Sequence, residues 1–189
     1  MIEVPAGHRT CLYDTAQMQN LLQDMAQQTA GLIDKNAKLA IVGVLRRGAP
    51  LADQLTNLLI SRHGFTQPLR LDLSVKRYAD DLTLLHPNTQ LSDTERLAQL
   101  DLTNTTVLVV DDVLYKGHSL LRVTEFLAKK NPVAIRTACL VDRCTSALPI
   151  KADVVGAYLK MGATDIIECH VPPYEPDLQI LLMQRAAAV

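Results

Sequence analysis

Apolar residues along this chain follow two rhythms. Continuous runs of four to seven, rich in β-branched side chains, alternate with stretches in which they return every third or fourth position. The first suits a strand buried on both faces, as in a parallel sheet, and the second suits a helix with one face on a core. Asp14, a residue type that caps helix starts, precedes Met18, Leu21, Leu22, Met25, Thr29, Leu32 and Ile33 at helical spacing, with Asn36 as the stop. Residues 39–45 read as a buried strand. Pro50, suited to a first helical turn, then opens a helix carried by Leu51, Leu55, Leu58 and Leu59. Residues 69–75 alternate as a strand does. The run Val107-Leu108-Val109-Val110 stops at Asp111-Asp112, and after a short loop with Gly117 the residues Leu120, Val123, Thr124 and Leu127 read as a helix. Residues 133–141 give another buried strand, and 166–171 with 178–183 a closing antiparallel pair across Pro172-Pro173.

Two stretches lack either rhythm. Residues 1–13 read as an irregular arm. Residues 76–104 form a polar excursion with no convincing core element beyond a short helix near 93–100, and an excursion that long in a compact domain is usually functional or disordered. The order of elements predicts a single α/β domain over residues 1–189. It has a mostly parallel central sheet, helices on both faces, and a small hood built from the two termini.

Composition narrows the partners. A formal net charge of −1 excludes a uniformly basic nucleic-acid binder but leaves room for a local patch, for which Lys129, Lys130, Arg136, Arg143 and Lys151 are candidates. Ordinary solvated charges are the plainer account of most of them. No apolar stretch is long enough to span a membrane and no secretory leader precedes the first helix, so no membrane partner is expected. The four cysteines include no Cys-x-x-Cys pair, which favours reduced thiols in a cytoplasmic protein over a zinc site or disulfide framework.

Candidate chemistry gathers at two strand ends. Ligands of open α/β sheets sit beyond the carboxyl ends of strands, where the next helix offers unpaired N–H groups to an anion. At one end, Asp111-Asp112 can hold hydroxyls or a metal beside Lys116 and the loop amides. At the other, Gly43 and Gly48 have the spacing of a P-loop. Ala49-Pro50 replaces its Lys-Ser/Thr, however, which removes both the phosphate lysine and the magnesium hydroxyl. Arg47-Gly48 instead offers a guanidinium fork that can bond two phosphate oxygens at once.

The stretch 107–119 resembles the motif by which type I phosphoribosyltransferases bind phosphoribosyl pyrophosphate (PRPP): an apolar strand, two acids, three variable residues, then Thr/Ser-Gly-x-Thr/Ser. Asp111, Asp112, Gly117 and Ser119 match, while Lys116 stands where the family has a hydroxyl residue. Arg47-Gly48 resembles the family's pyrophosphate loop. Within the family, Lys76-Arg77-Tyr78-Ala79-Asp80-Asp81-Leu82 resembles the opening of the flexible lid of the bifunctional pyrimidine operon attenuator and uracil phosphoribosyltransferase branch. Leu140-Val141-Asp142-Arg143, the run 148–153 and Val155-Gly156 also resemble that branch.

The resemblance implies transfer of phosphoribose from PRPP to a pyrimidine base, uracil above others, with Mg2+ as cofactor and pyrophosphate as product. It implies a lid over residues 76–104 and a homo-oligomer. Asp111, Asp112 and Arg77 would be catalytic, and the two acids would hold the metal directly or through water. PRPP would meet Arg46, Arg47, Gly48, Asp111, Asp112, Val113, Leu114, Tyr115, Lys116, Gly117, His118 and Ser119. Asp142, Arg143, Val154 and Val155 would meet the base. Two readings stay open, a working enzyme that also regulates pyrimidine genes and a catalytically weakened nucleotide sensor that binds RNA or DNA.

Overall fold

The computed structural model describes residues 7–74, 100–162 and 165–185. In chain order the elements are β1 (Gly7–Tyr13), α1 (Thr15–Leu32), β2 (Leu39–Val44), α2 (Gly48–His63), β3 (Leu69–Leu73), β4 (Thr106–Leu114), α3 (His118–Ala128), β5 (Ala134–Asp142), β6 (Val154–Tyr158), β7 (Asp165–His170) and β8 (Gln179–Arg185). Five of the strands form a parallel sheet in the order β3-β2-β4-β5-β6, and three form a second sheet, β1-β8-β7. The lid expected over 76–104 and its short helix fall largely outside the described residues.

The unbroken apolar runs of β2 and β4 have a simple cause: both faces of the parallel sheet are covered. Ile41, Leu108, Val110 and Leu140 pack with Met18, Leu22 and Met25 of α1 and Leu51 and Leu55 of α2. Ala40, Val42, Val107 and Val109 pack on the other side with Leu120, Val123 and Leu127 of α3. Alternating residues of one strand therefore enter opposite cores, and a polar residue on either face would be buried.

Local chemistry sets the helix ends. At the start of α1, the Asp14 carboxylate accepts from the Gln17 N–H and the Gln17 side chain accepts from the Asp14 N–H, both at 2.9 Å, a reciprocal capping box. The helix ends at Leu32 rather than near Asn36, because the Asp34 carboxylate accepts from the Asn36 N–H at 2.9 Å and turns the chain first. Gly64, with φ of 70°, closes α2.

Several expectations need correction. Residues 7–13 are a strand and not an irregular arm: β1 lies antiparallel to β8, with Arg9 opposite Met183 and Cys11 opposite Leu181. The Arg9 guanidinium reaches Glu168 of β7 at 2.8 and 2.9 Å, which ties all three strands of the hood together. Residues 154–158 form a further parallel strand, β6, at the sheet edge. β3 ends at Leu73, short of residue 75. Leu102, inside the stretch read as polar, is fully buried in the α3-side core. β4 does not stop at the acids. Its partner β5 is equally long, and pairing continues through Asp111 opposite Cys139 and Val113 opposite Val141.

Candidate active site

From β2 the chain moves outward to β3, then crosses back to β4 on the other side of β2. The direction of winding reverses between β2 and β4, and this opens a crevice at their carboxyl ends. One wall is the loop from Leu45 to Gly48. The Leu45 N–H donates to the Leu73 carbonyl at 2.9 Å, and the Leu45–Arg46 peptide is cis. Gly48 lies so near β4 that a Cβ there would stand 2.5 Å from the Val110 carbonyl oxygen and 3.2 Å from the Asp111 Cα. That contact, rather than phosphate cradling, explains why the loop ends in glycine. Arg70 of β3 fastens the start of α2. Its Nη2 donates to the Ala49 carbonyl and to Asp72 at 2.7 Å, and its Nε donates to Asp53 at 2.8 Å.

The facing wall runs from Asp111 to Ser119. The Asp112 N–H donates to the Asp111 carboxylate at 2.9 Å and the Val113 N–H to the Asp112 carboxylate at 3.0 Å, so each acid is oriented by the amide that follows it. The Lys116 carbonyl accepts from the Ala147 N–H at 3.2 Å and the Ser146 hydroxyl at 3.3 Å. Gly117 has φ of 88°, and a Cβ there would meet the Ser146 Oγ at 2.9 Å, so two independent constraints select glycine. α3 begins at His118 with Gly117 as its cap residue and no side-chain cap bond. Ser119 is therefore in the first turn and is not the cap itself.

Both walls open on one cavity of about 340 Å³, which Cys139, Ile167 and Cys169 also line. Arg47 and the whole of Asp111–Ser119 line it. Arg47 is held by Glu175. Its Nε lies 3.1 and 3.2 Å from the two carboxylate oxygens, and its Nη2 donates to Oε1. That hydrogen bond pushes the Arg47 pKa further up, with smaller help from the charges of Glu175 and Asp112. Burial opposes the charge on Glu175, but the bonds from Arg47 and the Val171 N–H outweigh it and hold the carboxyl below its usual range. Burial, reinforced by nearby carboxylates, pushes both the Cys139 and Cys169 thiols up, so neither is a nucleophile at neutral pH.

None of the four residues expected at the base lines this cavity. Val154 and Val155 are buried in the two cores and do not line the cavity. Asp142 accepts the Cys144 N–H at 2.7 Å. Arg143 stacks over Tyr115 with its guanidinium 4.5 Å from the ring centroid, and its Nη2 donates to the Asp165 carbonyl at 2.8 Å. It is only 7% exposed, which removes it from the basic surface patch. Of the other candidates for that patch, Lys129 pairs with Glu125 at 3.1 Å and Arg136 with Asp153 at 3.5 Å. Arg46 lies 5.3 Å from the Tyr174 ring centroid, and the Lys116 ammonium lies 5.6 Å from that of Tyr115. Arg77 is outside the described residues. Cys139, Ile167, Cys169 and Glu175 were missed. Cys139 sits in an apolar run and the other three lie on the hood, so no local pattern marks them as neighbours of Asp111.

Residues 8–175 match the family described as the phosphoribosyl transferase domain. The Bifunctional protein PyrR of Caldicellulosiruptor bescii is 29% identical over 177 residues, covering 92% of this chain and 94% of that one. That of Thermus thermophilus is 29% identical over 178 residues, covering 94% and 97%. The hypoxanthine phosphoribosyltransferase of Trypanosoma cruzi in complex with the product IMP is similar in fold. Its TM-score is 0.67 over 96% of this chain and 93% of that one, at 18% identity.

Proposed function

The chain belongs to the phosphoribosyl transferase family, and on that premise we propose that it moves phosphoribose from PRPP to a pyrimidine base, uracil, releasing pyrophosphate. One observation carries the reading: Arg47 and Asp111–Ser119, far apart in sequence, line the same cavity at the carboxyl ends of β2 and β4. The relatives named Bifunctional protein PyrR support a second role beside the transfer. The resemblance of Leu140–Arg143 and the run 148–153 to the pyrimidine operon attenuator branch makes the acceptor a pyrimidine, that second role gene regulation with RNA, and the assembly a homo-oligomer in this reading.

The residue types suit the chemistry. The bond from the sugar to pyrophosphate breaks through a cationic, oxocarbenium-like sugar, so the protein needs no nucleophile. It must orient the sugar, neutralise the leaving group and keep water out. Asp111 and Asp112 accept hydrogen bonds from the ribose hydroxyls, and their charge favours the sugar cation. The amides at the start of α3, with the Ser119 hydroxyl, hold the 5′-phosphate. Arg47 and the neighbouring loop amides hold the pyrophosphate. Among the described residues no three His, Cys, Asp or Glu side chains converge as a metal site, and Asp111 and Asp112 are the carboxylates that line the cavity. That donor set fits Mg2+, which keeps several waters and is commonly shared with substrate phosphates. When bound, Mg2+ supplies charge neutralisation to the departing pyrophosphate.

A second reading, a nucleotide-sensing regulator with weakened catalysis that binds RNA or DNA, is favoured by Lys116, a full charge where the family has a hydroxyl. One experiment separates the two. Protein, PRPP and Mg2+ are mixed with a panel of bases, and released pyrophosphate is measured beside nucleotide binding. Release with uracil is the expected result. Tight UMP binding without release from any base selects the sensor, and release with purines alone removes the pyrimidine assignment.

A further inference from the structure

The turn between β7 and β8 meets the loop after β2 residue for residue: Tyr174 lies against Arg46 and Glu175 against Arg47. Glu175 is not a swinging surface group. Its Oε2 accepts the Val171 N–H at 2.9 Å, while the Val171 carbonyl accepts from the Tyr174 N–H at 3.1 Å and the Glu175 N–H at 3.4 Å. Val171 itself is fully buried. The carboxylate is thus built into a turn that the core fixes, and it occupies the Nε–Nη2 edge of the Arg47 fork. That edge is one of those through which an arginine takes two oxygens of a phosphate.

We propose that Glu175 is a built-in counter-ion for Arg47, a tethered competitor of the diphosphate group that sets how tightly this site holds pyrophosphate. The inference rests on the pyrophosphate reading of the Arg47 loop. Two effects of Glu175 on that reading oppose each other. Aiming the guanidinium helps a diphosphate bind, whereas neutralising the guanidinium and presenting a negative charge beside the incoming anion hinder it. The charge acts on every phosphate oxygen in a partly water-excluded cavity, whereas aiming saves only the ordering of one side chain, so the hindrance dominates.

Glu175→Gln separates the two effects, because the amide keeps the shape and one acceptor oxygen while losing the charge. Inorganic pyrophosphate with Mg2+ is titrated calorimetrically into the full chain as wild type, E175Q, R47Q and the double variant. E175Q is expected to bind about tenfold more tightly than wild type, or about 1.4 kcal/mol. The gain should shrink in the R47Q background if the charge acts through Arg47. Structural damage cannot produce tighter binding, so the sign itself excludes a merely structural role. If E175Q proves unfolded by circular dichroism, Glu175→Ala removes the same charge and is read the same way. Equal or weaker pyrophosphate binding by E175Q, with wild type binding normally, overturns the counter-ion assignment alone. No pyrophosphate binding by any of the four proteins overturns the loop assignment and the counter-ion with it.

Discussion

Asp112 combines a backbone contact with a functional charge, and a single substitution separates them. Its Oδ1 accepts the Val113 N–H at 3.0 Å, a bond the amide oxygen of Asn can replace, whereas its charge raises the Arg47 pKa and, in the proposed transfer, would favour the sugar cation. Asp112→Asn should therefore fold and melt as wild type does while losing affinity for PRPP. A hydrogen bond to a charged group contributes about 1.5–3 kcal/mol, so the loss should be roughly ten- to a hundredfold. An unchanged PRPP titration would remove the ribose role from this residue. That Asp112 and Arg47 lie at strand ends facing one cavity could be read from the sequence, because each sits in a short motif whose neighbours in sequence are also its neighbours in space. Glu175 could not be placed in this way. Its role depends on Arg47, 128 positions away, and nothing around Pro173–Pro176 distinguishes it from a solvated turn acid. Val154 and Val155 lie in strand cores away from the cavity, and the sequence could not place them, since apolar residues suit a base-binding wall and a strand core equally well and only the packing decides between them.

At the scale of elements, legibility followed burial on two faces. β2 and β4 were readable because both faces enter a core, and in β4 every position from Val107 to Val110 is apolar and buried until the site begins. β1 was not, because its sequence Gly-His-Arg-Thr-Cys-Leu-Tyr has no buried residue and its pairing depends on β8 at the far end of the chain. β6 is five residues long and contains a glycine, too little for either rhythm. The junction of β2 with α2 gives an element-scale prediction at Gly48. Its missing side chain allows the loop to touch β4, and a methyl group 2.5 Å from the Val110 carbonyl must move the backbone of the strand that carries Asp111. Overpacking of that kind costs about 1–3 kcal/mol. Gly48→Ala should thus lower the melting temperature by roughly 2–12 °C, at about 2–4 °C per kcal/mol for a chain of this size. Its PRPP affinity should fall as well, because both walls of the cavity shift together. A variant with wild-type melting and affinity would show that the loop retreats freely and that glycine is dispensable there.

For the whole molecule the question is whether the hood is a separate lobe or part of one cooperative unit. Its chain segments come from opposite ends and its sheet is distinct from the parallel one, which suggests independence. Its core argues otherwise. Ile167, Val171, Leu178 and Ile180 belong to the same buried cluster as Met18, Leu22 and Met25 of α1 and Leu108, Val110 and Leu140 of the parallel sheet. Lifting the hood would expose those four side chains at roughly 1.5–3 kcal/mol each, or roughly 6–12 kcal/mol together. That is comparable with the entire stability of an ordinary domain, about 5–15 kcal/mol. Opening the hood alone should then cost nearly as much as unfolding everything, and the hood should not open as a separate step. Hydrogen exchange followed strand by strand checks this. Paired amides of β7 and β8 are expected to exchange as slowly as those of β2 and β4, with one calorimetric transition whose van't Hoff and measured enthalpies agree. Rapid exchange confined to β7 and β8, or an early separate transition, would make the hood an independent unit. Glu175 would then move with it, and release of Arg47 would follow from hood opening rather than from direct competition by a bound anion.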